Sequence, residues 1–383
     1  MDTDILVIGG GVIGTAIAWR IAAKNALTAD GKPTKITIVD HGDDAGRASF
    51  VAAGMLAPVS ESVFGEEALL NLNLLALDRF PSFAHEIERA ANQETGLRTE
   101  GTLNVAYDNG DLAALNRLAA FRRGIGLPAE FLDGRQARRL EPFLASNVTG
   151  GLLAQGDLSV DNRRYTSAVR AAAASAGVET VTGDVTRINA GVGGGGSTVT
   201  LADGEVITAT SIVLAAGHAA RRVGGVPDPV RKALRPVKGQ ILRLRHPGNL
   251  PPIITHTVRA LVQGREVYLV PRKDGEVVVG ATQEERDDRD ITAGAVHDLL
   301  RDAMTVLPAV SELILDEISV GLRPGSIDNG PIVGRAGGGL IVAAGHFRNG
   351  ILLSAATADA VASLLAGQAP APQWAPFTPE RLS

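Results

Sequence analysis

The sequence predicts two fold types in one chain: an α/β part built on a parallel sheet, and an α+β part with an antiparallel sheet inserted into it. Three observations predict this. The chain opens as strand, glycine turn, helix and second strand, the βαβ order of a parallel sheet. From Gln240 to Thr282 apolar residues alternate instead, as in antiparallel strands. The two patterns also interleave, with nucleotide-type segments at roughly 1–60, 160–220 and 325–367 and the other pattern between them. At 383 residues the chain exceeds what one core fills, so two domains sharing an interface are expected.

Each element has its own local signal. Asp4 to Ile8 is a buried-strand pattern, Gly9-Gly10-Gly11 breaks it, and Val12 to Lys24 has helical apolar spacing. Thr28 to Thr34 is a polar connection, and Lys35 to Asp40 is a β-branched strand ending on an acid. Glu66 to Glu94 is helical, with Pro81 expected to break it into two helices. Thr102–Tyr107 and Gly151–Leu153 read as strands of the second sheet. Asn162 to Gly177 is an alanine-rich helix, and the strands Val178–Val181 and Val185–Ile188 lead to a glycine hairpin tip at 191–196. Ser211–Leu214 is another buried strand running into a glycine turn. Strands at Ile241–Leu244, Val267–Val270 and Val277–Val279 follow, then a helix over Ile291–Leu307. Gly338 to Ala344 closes as strand and Ile351 to Gly367 as helix.

Composition removes whole classes of function. With no cysteine, disulfides, thiolate nucleophiles, cysteine-ligated metals and a thioether-linked prosthetic group are all excluded. A net charge of -5 supplies no basic field for nucleic acid, and Arg163-Arg164 and Arg221-Arg222 read as short solvated pairs. No segment approaches the roughly eighteen apolar residues of a membrane span, and the acidic Met1–Asp4 start is not a secretory leader. The cytoplasm is therefore the expected compartment. The seven histidines include no pair one helical turn apart, so no metal site is expected, and His218 and His346 each stand alone after an Ala-Gly step.

Gly9-Gly10-Gly11-Val12-Ile13-Gly14 is a G-x-G-x-x-G fingerprint placed directly between a strand and a helix. Gly9 allows the tight turn, Gly11 lets backbone amides approach a pyrophosphate, and Gly14 lets helix and strand pack closely. The helix N-terminus offers unpaired N–H groups to the anion. Asp40, 26 residues after Gly14, ends the second strand where an acid accepts hydrogen bonds from a ribose. That acid disfavours a 2′-phosphate but leaves NAD and FAD open. The run Arg47 to Pro58 is rich in small residues, which permits close approach of a flat, large group as well as tight packing on a sheet.

Four later blocks join the fingerprint. They are Ala52-Ala53-Gly54-Met55-Leu56; Val270-Pro271-Arg272 with Val279-Gly280-Ala281-Thr282; Gly321-Leu322-Arg323-Pro324; and Gly345-His346-Phe347-Arg348-Asn349-Gly350-Ile351-Leu352. In this order they resemble the flavin amino-acid oxidases typified by D-amino-acid oxidase and sarcosine oxidase, and most of all the glycine-oxidase branch of thiamine biosynthesis. The resemblance spans residues 5 to 365. It implies FAD, held without a covalent bond, in a Rossmann-like domain of residues 1–80, 155–225 and 325–375, with the substrate domain at 81–154 and 226–324. The Gly9–Gly14 loop, through Gly9, Gly11, Val12, Ile13 and Gly14, would hold the adenosine half with Asp40 and His41. Ala48, Ser49, Ala53, Gly54 and Met55 would line the flavin, Val185 would meet the adenine through its backbone, and Gly217 would border the same cleft. His346, Phe347, Arg348, Asn349, Gly350, Ile351 and Leu352 would run past the pyrimidine end, where a helix N-terminus stabilises an anionic reduced ring.

An amino acid oxidised at its α-carbon needs its carboxylate held, and arginine's planar fork suits that task. The resemblance gives this part to Arg323, which the local pattern puts in a short loop after Ile318–Val320. Tyr268 would point its hydroxyl at the same carboxylate; alternation puts it on one face with Glu266 and Val270. Arg348 is expected to contact substrate. Glu266 and Gln283 depart from the family pattern, where a histidine and a methionine are expected, so glycine, sarcosine and small D-amino acids all remain open. The resemblance further implies dioxygen as electron acceptor, hydrogen peroxide, oxo acid and ammonia as products, and transfer of the glycine imine to thiazole synthase. A homo-oligomer is expected. The alternatives are a dehydrogenase passing electrons to quinone or another carrier, and a flavin-binding partner protein without turnover.

Overall fold

The computed structural model describes residues 1–24, 32–44, 46–128, 130–191, 196–248 and 251–382. The polar connection from Thr28 and the glycine tip after Gly191 fall largely outside them, at 28–31 and 192–195.

Strand Asp2–Ile8 occupies the middle of the first sheet because Leu6, Val7 and Ile8 are buried on both faces. Among the described residues this eight-stranded sheet runs Ile332–Arg335, Leu340–Ala344, Val206–Leu214, Asp2–Ile8, Ile36–Asp40 and Glu179–Thr182. Of the five joints along this path, all but Ile332–Arg335 with Leu340–Ala344 are parallel. A hairpin, Val185–Asn189 with Ser197–Leu201, adds antiparallel strands to Val206–Leu214. Helices Val12–Ala23, Glu67–Ala91, Asn162–Ser175 and Gly350–Leu365 cover one face, their core including Ile17, Phe80, Val169 and Leu353. Gly217–Arg222 and the helix Asp228–Ala233 cover the other.

The second sheet, also eight-stranded among the described residues, runs Ile314–Ser326, Leu234–Arg245, Val277–Gly280, Arg265–Pro271, Thr257–Val262, Thr102–Ala106, Gly150–Ala154 and Glu130–Asp133. Helix Ala293–Val306 packs on its far face, through Leu299, Ala303 and Val306. The near face presents Ile241, Tyr268, Val270 and Val278 to Val51, Ala53 and Met55 of the first part. The alternation expected in Glu266–Val270 holds, since Val267 and Leu269 belong to the far-face core.

Four expectations need correction. Glu67–Ala91 is one helix that passes through Pro81. A mid-helix proline costs about 3 kcal/mol, but Leu72, Ala76, Phe80, Phe83, Ala84 and Ile87 are all buried on one stripe of the helix. Trp19 meets Phe83 edge-on at 5.1 Å, and that tertiary burial outweighs the local break. The boundary drawn at residue 80 consequently falls inside this helix, whose buried residues on both sides of Pro81 join the same core. The second sheet is not purely antiparallel: Thr257–Val262 pairs parallel with Thr102–Ala106, which splices its two inserted segments into one surface. Arg163 is not merely solvated; it grips Glu317 with both terminal nitrogens, at 2.9 and 2.6 Å, and lies 4.0 Å over the Phe50 ring. Helices Asn109–Gly124 and Gly134–Leu140 and strand Glu130–Asp133 were not anticipated from the sequence.

Candidate active site

One cavity of about 770 Å³ runs from the glycine turn to the near face of the second sheet, within the 300–1,000 Å³ usual for ligand pockets. Its first half lies at the carboxyl ends of strands Asp2–Ile8 and Ile36–Asp40, where open α/β sheets bind ligands. Gly9 has a φ of 106°, and a Cβ on it would stand 2.5 Å from the Ala215 carbonyl oxygen. A Cβ on Gly14 would lie 1.9 Å from Gly9 O, so Gly14 serves helix packing and does not line the cavity. Gly11 faces open space: a Cβ there would meet nothing within 4 Å. Val12 and Ile13 border the cavity beside it. A pyrophosphate can therefore approach the backbone and helix N-terminus directly, which is the fit a dinucleotide such as FAD requires.

Asp40 is positioned by this turn. Its carboxylate accepts hydrogen bonds from Gly10 N at 2.5 Å and Gly42 N at 2.8 Å, and pairs with Arg47. Burial pushes its carboxyl upward, but the two amides and the Arg47 charge outweigh that and leave its pKa below the ordinary value. His41, Ala48, Ser49, Ala53, Gly54, Met55, Val185 and Gly217 all border the same cavity. The small-residue segment is held from behind. Asn162 Nδ2 donates to Ser49 O at 2.9 Å and Phe50 O at 2.7 Å; buried Arg272 donates to Ala53 O at 2.8 Å and Asn162 Oδ1 at 3.0 Å. Burial drives the Arg272 pKa down to about 10.

From the far end of the chain, His346, Phe347, Arg348, Gly350 and Ile351 reach the cavity, and the helix Gly350–Leu365 begins there. His346 is buried, with Nε2 3.0 Å from Thr357 Oγ1, and burial lowers its pKa to about 3, so it is neutral. Asn349 and Leu352, from the same motif, are not among the residues bordering this cavity. The helical turn rotates Leu352 into the first core and buries Asn349 behind the loop.

On the substrate side, Arg323 and Tyr268 come together. Both border the cavity, and each favours the charged form of the other, an effect that burial outweighs. Burial raises the Tyr268 pKa, so its hydroxyl keeps its proton; burial, with Arg348 acting in the same sense, lowers that of Arg323. Two glycines make room for them. A Cβ on Gly239 would stand 2.4 Å from Arg323 Nη1, and one on Gly280 would stand 2.3 Å from the Tyr268 hydroxyl. Arg323 lies in the edge strand Ile314–Ser326, opposite Val237, and not in a loop. Pro324 misled that expectation, because an edge strand tolerates a residue without an N–H. Its Nη1 donates to Thr282 O at 3.1 Å, aiming the fork into the cavity.

The structure adds residues the sequence reading missed. Arg259 is the direct cross-strand neighbour of Tyr268 and pairs with Glu61 at 2.7 Å, both lining the cavity. The available signal was a lone arginine inside the apolar strand Thr257–Val262. Glu266, with a side chain 70% exposed, stands 3.5 Å from Arg259 at the rim, and Gln283 also lines the cavity. Among the described residues, no His, Asp and Glu cluster could hold a metal ion, and no helix is long and apolar enough to cross a membrane.

The sequence matches the family described as FAD dependent oxidoreductase over residues 4–364. It is 34% identical over 382 residues to the bifunctional protein ThiO/ThiG of Synechocystis sp., a match covering 99% of this chain and 54% of that protein. It is 32% identical over 383 residues to the glycine oxidase of Geobacillus kaustophilus, covering 98% of this chain and 96% of the other. The crystal structure of glycine oxidase from Geobacillus kaustophilus superposes with a TM-score of 0.87 at 31% identity, over 98% of each chain. The chain thus spans about half the length of the bifunctional relative and nearly all of the glycine oxidase.

Proposed function

Since the chain belongs to the FAD dependent oxidoreductase family and FAD is its cofactor, we propose that it oxidises a small amino acid, glycine before sarcosine and small D-amino acids. The observation that carries this reading is the Arg323–Tyr268 pair, set over two glycines at the end of the dinucleotide cavity. Arg323 holds the substrate carboxylate through its planar fork. Tyr268 keeps its proton and donates it to the same carboxylate in a hydrogen bond, and Arg348 adds a second positive charge beside Arg323. With the carboxylate fixed, the α-carbon is oriented and the chain's main contribution is positioning. Met55, Val51, Ile241 and Ala281 supply apolar walls that keep water from that carbon. FAD, when bound, supplies the two-electron acceptor for the Cα–H bond.

In the overall reaction the amino acid becomes an imine, dioxygen becomes hydrogen peroxide, and water splits the imine into oxo acid and ammonia. The bifunctional relatives join a region like this chain to as much chain again, which supports handing the imine to a second protein, thiazole synthase in the thiamine pathway. Residues 1–80, 155–225 and 325–375 serve FAD in this reading, with 81–91 added, and the remainder of 81–154 and 226–324 serves substrate. A cytoplasmic homo-oligomer belongs to the same reading. A peroxide screen of small amino acids under air tests it, with Arg323→Ala as control. Peroxide from glycine that disappears in Arg323→Ala supports it; activity surviving in that variant overturns the carboxylate assignment.

A further inference from the structure

A row of side chains crosses the near face of the second sheet: Asn104, Arg259 and Tyr268 stand opposite one another on adjacent strands, with Gly280 next in line. Arg323 reaches Tyr268 from one side and Arg259 flanks it on the other. The Arg259 side chain is 14% exposed and that of Glu61 12%, and their ion pair at 2.7 Å is joined by Glu266 at 3.5 Å. Two carboxylates therefore neutralise one guanidinium, so Arg259 has no surplus charge to attract a second substrate carboxylate. Its Nη1 also lies 4.0 Å from Met55 Sδ, across the cavity from the sheet. Glu61 is itself fixed, since its loop is clamped at Ser60: Asp157 accepts from Val59 N and Ser60 N, and Arg122 donates to Ser60 O at 2.7 Å. The same cavity is also lined by the apolar side chains of Val63, Phe64, Leu115, Leu118 and Leu261, of which Phe64 is 62% exposed.

We propose that the Arg259–Glu61 pair is the specificity wall of the substrate site, dividing a small inner chamber around Arg323 and Tyr268 from this apolar outer one. The pair admits substrates carrying hydrogen or methyl on the nitrogen or α-carbon and rejects longer apolar substituents. Removing the arginine joins the two chambers, and the outer one then accepts an alkyl tail. The proposal rests on the reading of Arg323 as the carboxylate clamp. One methylene in an apolar pocket is worth about 10- to 200-fold in discrimination, so the joined chamber changes preference by at least about tenfold.

The test uses the FAD-loaded protein and straight-chain carboxylates from acetate to hexanoate, their binding read from perturbation of the flavin absorption band. Wild type is expected to bind acetate and reject hexanoate. In Arg259→Ala the hexanoate-to-acetate affinity ratio rises at least about tenfold, and Arg259→Lys, which keeps a stem and a charge for Glu61, restores the wild-type ratio. A loss of packing alone would weaken both ligands together and leave the ratio unmoved. An unchanged ratio in Arg259→Ala overturns the proposal. Should that variant fail to hold flavin, Glu61→Ala releases the guanidinium and is read the same way: a higher ratio supports the wall and an unchanged one refutes it. Kinetics on glycine and N-butylglycine then separate this from the proposed reaction. If wild type oxidises neither, yet the binding ratios move as stated, the reaction is wrong and the wall stands.

Discussion

Gly239→Ala tests the geometry of the carboxylate clamp without touching any group that meets the substrate. Gly239 sits in the strand Leu234–Arg245, an extended backbone that alanine adopts freely. A Cβ there would stand 2.4 Å from Arg323 Nη1, 2.6 Å from Cζ and 2.6 Å from Nη2. Ordinary contact begins near 3.4 Å, so the guanidinium must move by about 1 Å. Misplacement on that scale costs on the order of 100-fold in rate, about 2.7 kcal/mol. The assay is kcat/KM for glycine together with the affinity for acetate, on protein with full flavin absorbance and measured thermal stability. Both constants are expected to worsen about 100-fold with stability nearly unchanged. Wild-type acetate affinity in this variant would refute the placement of Arg323 over Gly239.

Tyr268→Phe removes one hydrogen bond to a charged group, about 1.5–3 kcal/mol, so kcat/KM should fall between about 10- and 150-fold with FAD retained; steady-state kinetics decide it. Arg272→Met strands the buried Ala53 and Val160 carbonyl oxygens, while Asn162 Oδ1 keeps its bond from Arg243. At about 1–3 kcal/mol per orphaned group, urea unfolding should show a loss near 3 kcal/mol and flavin fluorescence a weaker FAD affinity. His346 gives a pH dependence. Its pKa is about 3 when folded against an ordinary 6.5, so the unfolded chain binds the proton first as pH falls. The stability it protects is full above pH 6.5 and drains until about pH 3, amounting to about 2 kcal/mol between pH 7 and 5. Unfolding free energies of wild type and His346→Gln should therefore converge by that amount on acidification, and parallel pH profiles would contradict the assignment.

What the sequence made legible was local. The strand, glycine turn and helix at Asp2–Ala23 rest on neighbouring residues, and Gly9, Gly11 and Asp40 sit where that logic puts them. Arg323 and Tyr268 were reachable through motif resemblance, although Pro324 hid the strand that carries Arg323. Non-local features were not legible. Nothing near Thr102 or Thr257 announces that they pair in parallel, and nothing near Pro81 announces the core that holds its helix together. Arg259 and Glu61, 198 residues apart, look like isolated charges until the sheet brings them face to face. Asn349 and Leu352 share a motif with true cavity residues, but a helical turn separates their directions.

The most direct measurement of the central claim is the flavin absorption band of the purified protein, titrated with glycine in the absence of oxygen. The band is expected to bleach with glycine, to return when air is admitted, and to leave one equivalent of hydrogen peroxide per turnover. A band that none of glycine, sarcosine or small D-amino acids bleaches would contradict the account.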